Sequence, residues 1–296
     1  MARLALINTL LTYSTEFSIP GYETNMSGYP PLSLAYVASL ARNSGHEVSI
    51  IDANILKLDM EKTLEMVKDF GADIIGFNIA TPSFIPVLHY IREFKSALGL
   101  PTIVGGVLVS DCPQEIIDHS EIDYAFAGPV IKSLPEFLRR FDSGSENFEG
   151  IPGLCYLKPS GEKIISIAEE ENELEQLPFP ARDLLPVERY YSPFSFGKNF
   201  TPFLTYKGCN FSCIYCSLSS SIEERTIDNV MAELTEIYHE NSIRDIDFYD
   251  TVFTFDRERV LDLCRKIRSE NLKISWIART RLELVDRELL EEMAAA

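Results

Sequence analysis

The apolar positions of this chain follow two alternating rhythms. Short continuous apolar runs, typical of strands buried on both faces, are separated by longer segments whose apolar residues recur every three or four positions, as on one face of a helix. Residues 2–9 (ARLALINT), 46–53 (HEVSIIDA), 72–80 (ADIIGFNIA), 101–109 (PTIVGGVLV) and 121–128 (EIDYAFAG) read as five strands. Between them, Pro31–Ser44 reads as a helix with Pro31 in its first turn and Gly45 just past its end. Asp59 caps a second helix, which carries Leu64, Val67 and Phe70 on one side and stops at Gly71. Pro86 opens a third, with Val87, Leu88, Ile91, Phe94 and Leu98, closed by Gly99. A short helix starts at Pro113, and SLPEFLRRF makes another. This alternation predicts an open, parallel α/β sheet over residues 1–140.

Residues 141–200 break the rhythm. A polar loop (DSGSENFEG) leads to a hairpin around Ser160-Gly161, an acidic run (EEENELEQ) and the proline-rich LPFPARDLLP. This stretch reads as a linker that packs against both domains. From Thr201 a second α/β pattern begins: TPFLTYKG, IRDIDFYD and KISWIART as strands, with helices capped by Thr226 and Asp286 and one over ERVLDLCRKIRSE. Residues 201–296 thus hold three β/α units, too few to close a barrel. No repeat of solenoid period is visible.

Composition fits this picture: 46% apolar and 24% charged residues are an ordinary globular mix. A net charge of −18 argues against broad binding to nucleic acid or anionic membranes, and its simplest meaning is solubility. No segment approaches about 18 uninterrupted apolar residues, so no membrane span is expected, and MARLALINTLL lacks the features of a secretory signal. Of six cysteines, three crowd into eight residues, unlike a disulfide framework; a reducing cytoplasm is the expected compartment.

Those three lie in KGC-NFS-C-IY-C, as Cys209, Cys213 and Cys216. Soft thiolates select zinc, copper or iron–sulfur clusters. A structural zinc site wants a fourth ligand, and none of His46, His89, His119 and His239 lies near in sequence. Cys264 sits among Leu261, Leu263 and Ile267 as a core residue would. A three-thiolate cluster leaves one iron open, where chemistry can occur.

The CxxxCxxC spacing, with Gly208 before the first cysteine and Tyr215 before the last, resembles the radical S-adenosylmethionine (SAM) superfamily. FYDTVFTFDRERVLDLC and ISWIARTRLELVDRELLEEM resemble that family's second and third β/α units. The resemblance implies a [4Fe-4S] cluster on Cys209, Cys213 and Cys216. SAM would chelate its open iron and be cleaved reductively to a 5′-deoxyadenosyl radical. It also implies SAM contacts at Tyr215, at Asp250 on the end of the second strand, and at Arg281 after the third. Two positions depart from the pattern: Thr251 stands where a second acid is common, and Lys207 where the family has Arg.

Residues 1–140 resemble the cobalamin-binding domain that precedes many radical SAM domains. The matching pieces are YPPLSLAYVASLARNSGHEVSIIDA, ADIIGFNIATPSF, PTIVGGVLVSDCPQEII and the turn AGP, with the proline-rich linker after them. The fold so implied is a Rossmann-like doubly wound parallel sheet followed by an incomplete (β/α) radical SAM barrel. Open α/β sheets bind ligands at the carboxyl ends of their strands, which places cobalamin near Pro31, Leu32, Thr81, Ser83, Gly105, Gly106 and Gly128. The DxHxxG motif that supplies a lower histidine ligand elsewhere is absent, so cobalt would take no protein histidine there. The activity implied is methyl transfer to an unactivated carbon or phosphorus, with an electron donor such as flavodoxin or ferredoxin and a small-molecule or peptide substrate. Oxidative ring closure, another radical reaction, and a non-catalytic cobalamin- or cluster-binding fragment stand as alternatives.

Overall fold

The structure, a computed structural model, describes residues 1–9, 28–169, 174–192, 194, 199–216 and 221–296. Part of the acidic run, residues 170–173, lies outside the described residues. The elements, in chain order, begin with β1 (Arg3–Asn8), α1 (Leu32–Asn43), β2 (Glu47–Asp52), α2 (Ala53–Leu56), α3 (Met60–Phe70) and β3 (Ile74–Asn78). Next come α4 (Phe84–Leu98), β4 (Thr102–Gly105), α5 (Val107–Asp111), α6 (Pro113–Ile117), β5 (Tyr124–Phe126), α7 (Ser133–Asp142), β6 (Leu154–Leu157) and β7 (Lys163–Ile164). The remainder is β8 (Phe200–Phe203), β9 (Tyr206–Lys207), β10 (Glu223–Glu224), α8 (Ile227–His239), β11 (Asp245–Phe248), α9 (Arg257–Ser269), β12 (Ser275–Ala278) and α10 (Arg287–Ala295).

The chain divides into two compact units. The first comprises the described residues of Met1–Glu23, Pro31–Glu171 and Pro178–Leu185. Its sheet has the order β2-β1-β3-β4-β5-β6-β7, with β1 to β5 parallel. The two-residue period of β1 turns Ala5 and Ile7 toward a core shared with Val67 of α3, Phe94 of α4 and Ile116 of α6. Leu4 and Leu6, on the opposite face, are equally buried. On that side α1 packs beside β1, β2 and α7, and Phe137 of α7 meets the rings of Tyr124 and Phe126. Helices therefore cover both faces, the doubly wound arrangement expected.

The expected caps form: Asp59 accepts from the Lys62 amide, and Gly71 and Gly99 end α3 and α4 in the left-handed region. Three details differ. Pro31 precedes α1 as its cap instead of sitting in its first turn. The fourth strand stops at Gly105; Gly106, at φ +117°, turns the chain, and Val107–Val109 become helical. The segment 141–200 is not a uniform linker. β6 pairs antiparallel with β5, and β7 with β6, so the hairpin extends the first unit's sheet. Further along, Ala181 donates to the Ala35 carbonyl and Arg42 forks onto Asp183, which ties 178–185 to the same unit.

The second unit comprises the described residues of Thr24–Pro30, Asn172–Leu177 and Pro186–Ala296. Its parallel sheet runs β12-β11-β8, and α8, α9 and α10 follow these strands in the chain. Phe203, Ile246 and Phe248 face a core built with α8, α9 and α10, where Cys264 is buried as expected. Asp245 and Asp247, on the other face of β11, are buried too. The strand read over 201–208 is broken: after Phe203 the chain leaves the sheet and forms β9, which pairs antiparallel with β10. Among the described residues no helix is long and apolar enough to cross a membrane.

Candidate functional site

Cys209, Cys213 and Cys216 lie on the loop between β9 and β10. Lys207 pairs with Glu223 and Tyr206 with Glu224, so a short ladder closes the loop at its base. Gly208, at φ +95°, is essential to this pinch, because a Cβ there would strike the Ser221 carbonyl.

The base is held by polar groups. Asp250, with no exposed surface, accepts from the Thr205 amide (2.8 Å), the Thr205 hydroxyl (2.6 Å) and the Tyr206 amide (3.3 Å). Arg225 donates to the Leu204 carbonyl (2.8 Å) and pairs with Glu233 of α8 (2.6 Å) inside the unit. The Thr205 carbonyl accepts from the Arg225 amide (3.1 Å) and from Arg259 of α9 (3.2 Å). The Tyr206 hydroxyl accepts from the Val252 amide (2.6 Å). On the exit side, the Leu174 amide donates to Glu223, while the Glu175 carboxylate accepts from the Thr226 amide and hydroxyl.

Above this base the loop opens outward. Cys209 is buried, Cys213 half-buried and Cys216 exposed, and all three thiols are free. Ile214 is fully exposed and Tyr215 is 88% exposed. Arg281 lies over the Phe211 ring at 4.2 Å and places Nη1 3.8 Å from the Cys213 sulfur, while also pairing with Glu283. The donor set fits a thiolate-bound cluster: three soft sulfurs on one loop, none tied in a disulfide. Their side chains are not drawn together, since among the described residues no group of three or more Cys, His, Asp or Glu is assembled around a common point.

The residues assigned to SAM separate in consequence. Tyr215 and Arg281 lie with the cysteines. Asp250 faces inward, and both its oxygens are used by the loop base. Burial raises its pKa to about 6, against the opposing pull of the Thr205 and Tyr206 donors and nearby Arg259.

A second polar group was not singled out in the sequence. Arg279 forks onto buried Asp247 (2.6 and 2.9 Å), Tyr29 donates to the same carboxylate (3.0 Å), and Arg279 lies 4.8 Å over the Tyr249 ring. The available signal was the DID of β11: alternate carboxylates on a strand whose other positions are apolar put charge on one buried face.

In the first unit, the segments after β3, β4 and β5 all leave the carboxyl edge of the sheet. Thr81 is exposed there. The Ser83 hydroxyl is used locally, accepting from the Ala80 amide and donating to the Ala80 carbonyl. Gly105 has open space where a side chain would stand, the opening a close ligand requires. Gly106 and Gly128 are glycines for a different reason: a Cβ would strike Asn78 and Ile79 at the first and the Ala168 carbonyl at the second. Pro31 and Leu32 form the start of α1.

Parts of this architecture are similar to known proteins. Residues 27–138 match the B12 binding domain family. The fold over the whole chain is that of cobalamin-dependent radical SAM enzymes. It superposes on the cobalamin-dependent SAM radical enzyme OxsB with aqua-cobalamin bound, at a TM-score of 0.76, 18% identity and coverage of 100% of this chain and 42% of that one. It superposes equally on the radical SAM methyltransferase TsrM of Kitasatospora setae, at 0.75, 18%, 100% and 57%.

Among individual relatives, the chain is 28% identical over 270 residues to an uncharacterized methyltransferase, PH0819, of Pyrococcus horikoshii, covering 89% of this chain and 58% of the relative. It is 22% identical over 314 residues to the cytidylyl-2-hydroxyethylphosphonate methyltransferase of Streptomyces wedmorensis, covering 89% and 59%. The chain thus spans less than two thirds of the length of these relatives.

Proposed function

We propose that this chain is the cofactor-binding part of a cobalamin-dependent radical SAM enzyme that transfers a methyl group to an unactivated centre. The observation that carries the reading is the position of three free cysteines on a braced loop after the first strand of a parallel β/α sheet, in a chain whose residues 27–138 match the B12 binding domain. Cys209, Cys213 and Cys216 would hold a [4Fe-4S] cluster, and the open carboxyl edge around Thr81 and Gly105 would receive cobalamin. Together these groups supply an electron for reductive cleavage of SAM and a carrier for its methyl group.

The chain's own residues have defined parts in this scheme. Arg281, stacked on Phe211, offers a fixed guanidinium beside Cys213 for the SAM carboxylate. Tyr215 offers an exposed ring at the same loop. An electron donor of the flavodoxin or ferredoxin type would dock at this face, in a reducing cytoplasm.

The test is anaerobic purification followed by iron, sulfide and zinc analysis and spectra with and without hydroxocobalamin. We expect about four irons per chain and retained cobalamin. Zinc in place of iron overturns the radical reading; iron without cobalamin removes the methyl-transfer assignment.

A further inference from the structure

We propose that Asp250 positions the cysteine loop for cluster uptake, acting through the backbone of Thr205 and Tyr206 and not by touching SAM. The proposal rests on the reading of Cys209, Cys213 and Cys216 as cluster ligands.

Asp250 follows β11, and the groups it holds follow β8, the neighbouring strand. Its carboxylate therefore fixes the point at which the chain leaves the sheet for the loop. One oxygen accepts from both the Thr205 and Tyr206 amides, and the other accepts from the Thr205 hydroxyl. The opposite edge of the same peptide units is held by Arg225 and Arg259, through the carbonyls of Leu204 and Thr205. Cys209 stands three residues after Tyr206, past Lys207 and the positive-φ Gly208. The entry to the loop is thereby set on both sides, although its tip is exposed. Such bracing matters because a site a fraction of an ångström too loose loses its ligands. Among the described residues the hydrogen bonds of Asp250 go to Thr205 and Tyr206 at the loop base, and the side chain has no exposed surface from which to reach a ligand.

The shape of the carboxylate makes the proposal separable from a SAM contact. In Asp250→Asn, one oxygen still accepts from both amides, and the new amide nitrogen can donate to the Thr205 hydroxyl, which rotates to accept. Asp250→Ala removes all three acceptors.

The experiment compares the whole chain with these two variants, in three measurements. These are iron and sulfide per chain after anaerobic reconstitution, hydrogen exchange of the unreconstituted protein over 204–210, and equilibrium binding of SAM to the reconstituted protein. We expect Asp250→Ala to lose most of its iron and to exchange about tenfold faster at the loop base, with exchange in residues 1–9 and 74–78 unchanged. Asp250→Asn should keep iron uptake, slow exchange and SAM binding. Wild-type iron uptake and exchange in Asp250→Ala would overturn the proposal. So would an Asp250→Asn variant that keeps its iron and loses SAM affinity about tenfold, because the charge would then act on SAM directly. Zinc-only wild-type protein would defeat the cluster reading instead, and the exchange comparison would still decide whether Asp250 sets the loop base.

Discussion

The two units bury different amounts of charge. The parallel sheet of the first unit is filled with Leu4, Ile7, Ile75, Val104 and Ala125, and its tightest places are made by glycines. The second unit has a comparable apolar face around Phe203 and Phe248, yet it buries more charge: Arg225, Glu233, Asp245, Asp247 and Asp250, where the first unit buries Asp52 and Arg182. Apolar burial is non-directional and tolerates small changes of shape, whereas buried charges require particular partners at particular distances. The first arrangement builds a sheet. The second fixes a loop.

The contrast can be tested by mutation. The largest effect is expected for Arg225→Met, which leaves Glu233 charged inside α8 and the Leu204 carbonyl without its guanidinium. The cost should be about 3–5 kcal/mol, read from urea unfolding followed at the second unit. Replacing Glu233 by Leu as well should recover much of this loss, and a single-variant cost below about 1 kcal/mol would show that the buried charges do not hold the unit.

Next is the pH dependence of Asp250. Its pKa is about 6 in the folded unit against 3.8 unperturbed, so the folded state holds a proton that the unfolded state has released. Stability from this group is present below the lower value and falls as pH rises through the window between the two. The fall should be about 2–3 kcal/mol, and it should be absent in Asp250→Asn. An unchanged slope in that variant would assign the titration elsewhere.

In the first unit, Gly106→Ala meets both a positive φ and the Asn78 and Ile79 atoms beside it; a loss of about 2 kcal/mol in thermal or urea unfolding is expected. Ile75→Val, deep in the same sheet, should cost only about 1 kcal/mol, and a much larger value would mean that this core is as exacting as the polar one.

The same difference governs what could be read from the sequence. Strands of the first unit announce themselves as apolar runs, and helix ends as Asp59, Gly71 and Gly99, because local chemistry decides them. The register of the hairpin on β5 depends on long-range pairing, so residues 154–164 looked like part of a linker. The cysteines stand out in the sequence as candidate ligands by their spacing. Asp250 was placed correctly at a strand end, but its direction was not, because an inward and an outward carboxylate have the same sequence. Arg225 and Glu233 were invisible for a similar reason: they lie eight residues apart across the start of α8, and an inward charged pair has the same sequence as two solvated surface residues.

One consequence concerns exchange of parts between proteins. Leu174 and Glu175 brace β10 and the start of α8, Gly28 exchanges two backbone hydrogen bonds with Tyr191, and Tyr29 shares Asp247 with Arg279. The second unit is therefore gathered from three separated stretches of the chain. A crossover at residue 200, natural by strand boundaries, would deliver the cysteines and all three parallel strands but leave all three staples behind. A chimera that inherits residues 28–30 and 174–177 from the same parent as 186–296 carries the unit whole.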